Sequence, residues 1–344
     1  MVRLMRRIPA SAAVLALVLA ACGPDGEDSV TPGPLIPQPP SPITLPRVPV
    51  IPQAPECRGS TAYDGAALQN GLSVREMPWS PFGRQERGWE VYEAKIAQEI
   101  GTGCSADSPA FAEALAKWER ARQMDGDGVL DEHVFTRMKA FWHAQRPYLT
   151  IRSEGCPAPP PESDLQWATA SEGYKGKMVQ LRPPALQAYR RMRAAALAEA
   201  PEIARDPDML TIFSGFRSPA YDAERCAREG NCNGVTRASC SPHRTGLVVD
   251  LAVGAAPGYT VDSSADVNRL YQTRTPAYRW LVANAHRFGF VNYVFEPWHW
   301  EYTGQGAEAR PVPPVFLPRV ESGTRPRARA FVRDKEPARE RQNR

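Results

Sequence analysis

The sequence has few histidines and little excess charge. Its 344 residues include five histidines, and 42 basic against 38 acidic residues leave a formal net charge of +4. So small an excess does not argue for a basic surface that binds nucleic acid, and no nucleic-acid partner is expected. Long apolar runs are also scarce: the most apolar one, residues 10–21, is shorter than the roughly 20 residues of a membrane-spanning helix.

The apolar run near the N-terminus follows three arginines within the first seven residues, the order of an export signal. It ends in Leu-Ala-Ala-Cys at Cys22, which resembles the bacterial lipobox. The resemblance implies a lipoprotein signal peptide over residues 1–22 and a lipid anchor on Cys22. The alternative is a plain secretory signal with a chance cysteine. Gly23 after the cysteine favours the outer membrane, facing the periplasm, in the bacterial cell envelope.

Six further cysteines remain, at positions 57, 104, 156, 226, 232 and 240. An even number in an oxidising compartment predicts up to three disulfides, with 15 possible pairings. The stretch 226–240 crowds three cysteines among turn residues, which favours a local closure. Three cysteines lie on each side of residue 200, so full pairing requires at least one bridge between the halves. A zinc site built from three thiols lacks a fourth ligand.

The two ends of the chain are poor in structural signals. Residues 23–56 contain 11 prolines in 34 positions, which predicts an extended tether. A proline-motif docking site is the alternative. Residues 319–344 are charged and rich in arginine, which predicts a disordered basic tail. Binding of this tail to an anionic surface is its alternative.

Residues 57–155 have the apolar spacing of helices. The stretch ALAKWERARQMDGDGVLDEHVFTRM resembles the small three-helix peptidoglycan-binding module. A calcium loop starting at Asp125 is excluded, because its sixth and twelfth positions hold Leu130 and Thr136 instead of glycine and glutamate. His133 and His143 are interpreted as surface or core residues.

The pattern of apolar residues over positions 156–318 predicts an α+β domain. A proline-rich linker precedes an alanine-rich helix over PPALQAYRRMRAAALAEA, and short strands follow in DMLTIFSGF, LVVDLAV, FVNYVF and WHWEY. A helix over AYRWLVANAHRFG ends at Gly289. We expect a small antiparallel sheet flanked by helices, with His286 in a structural role.

Two phrases, SPHRTGLVVD and EPWHWEY, carry the chemistry. His243 and Asp250 bracket a turn at Gly246, and strand alternation turns His299 away from its aromatic neighbours. Two imidazoles and a carboxylate make a set of ligands for catalytic Zn²⁺, and Glu296 is the candidate general base.

Two other interpretations of these residues fail. A serine triad of Ser241, His243 and Asp250 has no G-x-S-x-G elbow and leaves Glu296 and His299 without roles. A purely structural role would bury four polar groups without a shared partner, which is costly.

The two phrases are similar to the S-x-H-x-x-G-x-A-x-D and E-x-W-H patterns of the D-Ala-D-Ala metallopeptidases, which share a zinc fold with lysostaphin and the hedgehog domain. SGFRS, residues 214–218, is similar to that family's S-G-Y-R-S stretch. Departures are Val248 for alanine, Asp222 for glutamine and Glu301 for arginine, and the last two leave the cleaved bond in doubt. The resemblance implies zinc on His243, Asp250 and His299, catalysis by Glu296 and Arg217, and substrate or supporting contacts from Ser241 and Trp298.

The expected function is therefore a zinc-dependent D-alanyl-D-alanine carboxypeptidase that acts on peptidoglycan stem peptides. An L,D-carboxypeptidase or an endopeptidase on the same scaffold is the alternative within the enzyme class. A catalytically inactive wall-binding lipoprotein is the alternative outside it. The presence of both Glu296 and Arg217 favours an enzyme, since an inactive scaffold could dispense with either.

Overall fold

The computed structural model describes residues 57–152, 155–230 and 240–304, all within the unit that spans residues 43–344. The predicted anchor at Cys22, the tether and the basic tail lie outside the described residues. In the described part of the chain, no helix has both the length and the hydropathy to cross a membrane.

The helical segment, residues 57–152, packs its apolar faces around an aromatic core that includes Trp89, Phe111 and Phe135. Polar caps fix where two of its helices begin: Ser108 accepts a hydrogen bond from the Phe111 amide, and Asp131 accepts one from the Val134 amide. Its elements are α1 (Asp64–Glu76), β1 (Pro78–Trp79), β2 (Glu86–Arg87), α2 (Glu93–Ile100), α3 (Pro109–Arg120), α4 (Glu132–Ala144) and α5 (Pro147–Arg152).

The C-terminal domain combines helices with two small antiparallel sheets, which confirms the predicted α+β class. Its elements are β3 (Gln166–Trp167), β4 (Gln180–Leu181), α6 (Pro183–Glu199), α7 (Pro201–Ala204), β5 (Ile212–Ser214), α8 (Pro219–Glu229), β6 (Val248–Leu251), α9 (Asp266–Thr273), α10 (Pro276–Asn284), β7 (Phe290–Asn292) and β8 (His299–Tyr302). Strands β3 and β4 pair with each other, and the larger sheet has the order β5-β6-β8-β7.

The alternation of side chains along β8 determines which face of the larger sheet meets the main core. Trp300 and Tyr302 point into the main core, and Trp298, just before the strand, joins them. His299 and Glu301 therefore share the opposite face. That face lies over the helical segment, as the contacts of Glu301 show below.

The helical segment packs directly on the C-terminal domain. Val294 of the domain belongs to the segment's aromatic core. Arg269 reaches Glu86 at 3.3 Å, with both side chains buried. Because of these contacts, side chains of the helical segment can lie beside the larger sheet of the C-terminal domain.

The structure contains the predicted disulfides. Cys57 pairs with Cys104 inside the helical segment, and Cys156 pairs with Cys240. The second pair is the bridge between the halves that the cysteine count requires. Cys226 is also disulfide-bonded. Cys240 is outside the local closure that the sequence favoured, because its partner is Cys156.

Candidate metal and active site

The larger sheet brings residues from distant parts of the sequence to one point. In the β6–β8 pair, Asp250 lies directly opposite His299. His243 comes from a short 3₁₀ turn, Pro242–Thr245, that precedes β6. Gly246 ends that turn with φ of 69°, a left-handed conformation that glycine adopts without strain. The chain therefore reverses between His243 and Asp250 so that both reach the same place.

The three side chains form a tight, buried cluster. Their candidate ligand atoms all lie within 4.8 Å of one another. Asp250 has one carboxylate oxygen 3.1 Å from His243 Nε2 and the other 2.9 Å from His299 Nδ1. Each of the three residues is at most 5% exposed. No other group of three such side chains converges within residues 57–152, 155–230 and 240–304.

The tautomer of His243 follows from its neighbour. Its Nδ1 lies 2.7 Å from the Gly215 carbonyl oxygen, which can only accept, so Nδ1 carries the hydrogen. Nε2 then presents a lone pair toward a carboxylate oxygen of Asp250, 3.1 Å away. Burial lowers the pKa of His243, and the positive charge of Arg217 lowers it further. A neutral imidazole nitrogen and a carboxylate thus face each other as two acceptors, an arrangement that fits a cation between them.

Negative charge around the other two residues supports the same fit, because a metal ion can displace the proton that this charge holds on His299. Burial by itself would raise the pKa of Asp250, but His243 and His299 outweigh it and hold that pKa well below its usual range. Burial opposes protonation of His299, yet Asp250 and Glu301 raise its pKa to about 9. Two imidazole nitrogens and a carboxylate oxygen are the donors that catalytic zinc sites use, with a further position left for substrate or water.

Glu296 reaches the cluster from the turn between β7 and β8. Its amide donates to the Tyr293 carbonyl at 2.8 Å, and its carbonyl accepts from the His299 amide at 3.0 Å. Its Oε2 lies 3.7 Å from His299 Nδ1, the nitrogen that faces Asp250. The side chain keeps 25% exposure, and burial raises its pKa. A carboxylate with a raised pKa beside the candidate metal site can take up and release a proton.

Arg217 lies on the loop after β5 and is held at two edges. Its Nη2 donates to Ser241 Oγ at 2.8 Å, and its Nε lies 3.1 Å from a carboxylate oxygen of Asp222. Ser241 Oγ also accepts from the His243 amide, so this residue is both a turn cap and a contact of the arginine. Asp222, a departure from the family pattern, therefore orients the guanidinium.

The remaining predicted residues lie apart from the cluster. Trp298 is 4% exposed and packs in the main core, and its contact with substrate stays a prediction. His133 and His286 are exposed, and His143 is partly buried beside the rings of Phe82 and Tyr293. None of these histidines joins the converging group.

Sequence reasoning missed one neighbour of the site. Glu301 Oε1 lies 3.4 Å from His299 Nε2, and Arg146 of the helical segment binds that same carboxylate. The only available signal was the glutamate in place of the family's arginine at position 301, and nothing in the local sequence pointed to Arg146 as its partner.

Comparison with known proteins agrees with the geometry. Residues 178–305 match the family model for VanY, D-alanyl-D-alanine carboxypeptidase. The range contains His243, Asp250, His299, Glu296 and Arg217. A comparison with curated proteins gave no match. The family match confirms the resemblance to the D-Ala-D-Ala metallopeptidases for the C-terminal domain.

Proposed function

Because residues 178–305 belong to the D-alanyl-D-alanine carboxypeptidase family, we propose that the protein is a zinc-dependent peptidase that removes the terminal D-alanine from peptidoglycan stem peptides. The observation that carries the proposal is the cluster of His243, Asp250 and His299, with Glu296 Oε2 at 3.7 Å from one ligand nitrogen. The family accounts for the substrate class, and the donor set accounts for the metal.

The residues of the site have separate roles in the reaction. When bound, zinc supplies Lewis acidity, which polarises the scissile carbonyl and makes water more acidic. His243, Asp250 and His299 would hold the ion. Glu296 takes a proton from the attacking water and passes it to the leaving nitrogen.

Arg217 supplies the positive charge. Its guanidinium is planar and keeps its charge, so it can pair with two oxygens of a developing oxyanion or of the substrate carboxylate. Asp222 and Ser241 hold this guanidinium at two of its edges. This fixed orientation reduces the reorganisation needed when substrate binds.

The attachment of the enzyme to the cell envelope is also part of the proposal. The lipobox-like end of the signal peptide supports a lipid anchor on Cys22, in the outer membrane and facing the periplasm. The proline-rich tether at residues 23–56 supports a catalytic domain that reaches the wall from that anchor. The module-like pattern at residues 57–155 supports a contact with peptidoglycan.

The test is digestion of pentapeptide and tetrapeptide muropeptides by the full chain, followed by mass spectrometry. We expect pentapeptides to lose one alanine and tetrapeptides to remain intact. A chelator should stop the reaction and added zinc should restore it. Shortening of tetrapeptides would favour the L,D-carboxypeptidase, and cleavage of cross-linked dimers would favour the endopeptidase.

A Glu296→Gln variant is the matched control for the digestion. If wild-type and variant digests both match undigested muropeptides, the proposed activity is wrong and the inactive wall-binding protein remains. Zinc content measured on the same samples separates loss of the base from loss of the metal.

A further inference from the structure

A second carboxylate lies behind the His299 imidazole. Glu301 follows two residues later on the same face of β8, and its side chain is 2% exposed. Its Oε1 lies 3.4 Å from His299 Nε2, the nitrogen that faces away from Asp250 and has no hydrogen-bond partner of good geometry. The imidazole therefore has a carboxylate at each edge, Asp250 at Nδ1 and Glu301 at Nε2.

The helical segment holds Glu301 in place. Arg146, between α4 and α5, donates from Nε at 2.8 Å and from Nη2 at 2.6 Å to Glu301 Oε1. The Tyr148 amide donates to the other oxygen at 3.2 Å. Both oxygens of this carboxylate are thus fixed by residues that precede it by about 150 positions in the chain.

Arg146 also reaches the surroundings of His299 by a second route. Its guanidinium lies 4.1 Å from the centre of the Tyr293 ring. That ring meets the His299 imidazole edge to face, with centroids 5.9 Å apart. One buried arginine from the helical segment therefore contacts two groups that pack against the same histidine.

Stability alone does not account for this pair. The Arg146 and Glu301 side chains are 7% and 2% exposed, and removing two charges from water offsets most of their attraction. A pair of well-packed apolar side chains would serve the interface at least as well. A carboxylate at the remote nitrogen of a metal-binding histidine, in contrast, fixes the ring's tautomer and orientation.

We propose that Glu301, held by Arg146, is a positioning residue that orients His299 for metal binding, so that the helical segment completes the metal site of the C-terminal domain. This inference rests on the proposed zinc function. It makes the helical segment a working part of the enzyme in addition to its predicted contact with the wall.

The test measures zinc affinity of the full chain by competition with a chromophoric chelator, together with the melting temperature of the zinc-free protein. Glu301→Gln and Arg146→Lys should each weaken zinc binding about 10- to 100-fold, the usual effect of losing such a partner. The double variant Arg146→Met/Glu301→Leu removes both charges at once. It should keep the melting temperature of the zinc-free protein and show the same loss of affinity.

Glu90→Gln is the control. It removes the carboxylate that pairs with Arg274, another contact between the same two segments, and touches none of the proposed ligands. Its zinc affinity should equal that of the wild type.

The possible outcomes separate this inference from the proposed function. A wild type that binds no zinc overturns both. A wild type that binds zinc and shortens pentapeptides, beside a folded double variant with affinity within twofold of wild type, overturns the positioning role alone. Should the double variant fail to fold, the two single variants are judged by the same twofold limit.

Discussion

Two groups of residues of the types that bind metals look comparable in the sequence but differ in the fold. One is the acidic turn, defined here as residues 125–131 together with Glu119, which has the clustered aspartates of a calcium loop but not its spacing. The other is the His243, Asp250 and His299 cluster. In the acidic turn Asp127 accepts from the Val129 amide and Glu119 from the Gly128 amide. These carboxylates satisfy the backbone and do not converge.

The cluster of His243, Asp250 and His299 uses its polar atoms differently. Its backbone caps come from other residues, such as Ser241 for the His243 turn. The Nε2 lone pair of His243 faces a carboxylate oxygen of Asp250, and Asp250 lies between the two imidazoles. A group of ligand-type residues can therefore bind metal when its side-chain atoms converge and are not already hydrogen-bonded to the backbone of the same turn.

Removing a carboxylate from each group should give the largest contrast. Asp250→Asn removes the central negative charge, so we expect zinc content to fall to background and hydrolysis to be abolished. Asp127→Asn, in the acidic turn, should keep the zinc content and activity of the wild type. Elemental analysis and the muropeptide assay check both. Zinc retained by Asp250→Asn would contradict the proposed ligand set.

The general base should separate from the metal. Glu296→Gln keeps the size of the side chain but cannot accept a proton, so kcat should fall about 10²- to 10⁴-fold. The zinc content should stay at the wild-type level, because Glu296 is not a proposed ligand. If kcat falls only because zinc is lost, the assigned role is wrong.

The sequence predicted the parts of the site that depend on local pattern. Alternation along WHWEY placed His299 opposite the aromatic face, and Gly246 indicated the turn between His243 and Asp250. The α+β class and the strands around these residues also followed from apolar runs. The family resemblance supplied the grouping of ligands from separate strands, which spacing alone left open.

Contacts between distant segments could not be predicted in this way. Arg146 and Glu301 are 155 positions apart, and neither apolar periodicity nor composition encodes which buried charges will pair. The same holds for Cys156 and Cys240, where the local crowding of cysteines favoured another partner. Helices α8 and α9 were also missed, because their patterns lie in stretches that read as loops.

The acidic turn should show its structural role in the pH dependence of stability. Burial raises the pKa of Glu119 to about 7. The hydrogen bond from the Gly128 amide lowers this pKa, and the charges of nearby acidic groups raise it. The folded state therefore holds a proton that the unfolded state releases near pH 4.3. The contribution of Glu119 to the free energy of unfolding is fully present below about pH 4.3. It is lost as the pH rises toward 7, by at most about 1.4 kcal/mol for each pH unit.

Glu119→Gln tests that assignment, because the amide keeps an acceptor for the Gly128 amide and has no proton to lose. The free energy of unfolding of the variant, relative to wild type, should increase between about pH 4.5 and 7. Urea unfolding at several pH values measures the difference. Glu132→Gln, at an exposed carboxylate on α4, should follow the wild-type slope. A constant difference for Glu119→Gln would contradict the raised pKa.

The smallest effect is expected at the edge of the acidic turn. Asp131 caps the N-terminus of α4 and accepts from the Val134 amide at 2.8 Å. Asp131→Ala should lower the free energy of unfolding by about 1 kcal/mol, the usual effect of losing such a cap. Asp131→Ser keeps an acceptor and should recover most of the loss. Zinc affinity should be unchanged in both variants, since this carboxylate satisfies a helix end. A fall in zinc affinity with Asp131→Ala would show that the two groups are coupled and would remove the contrast between them.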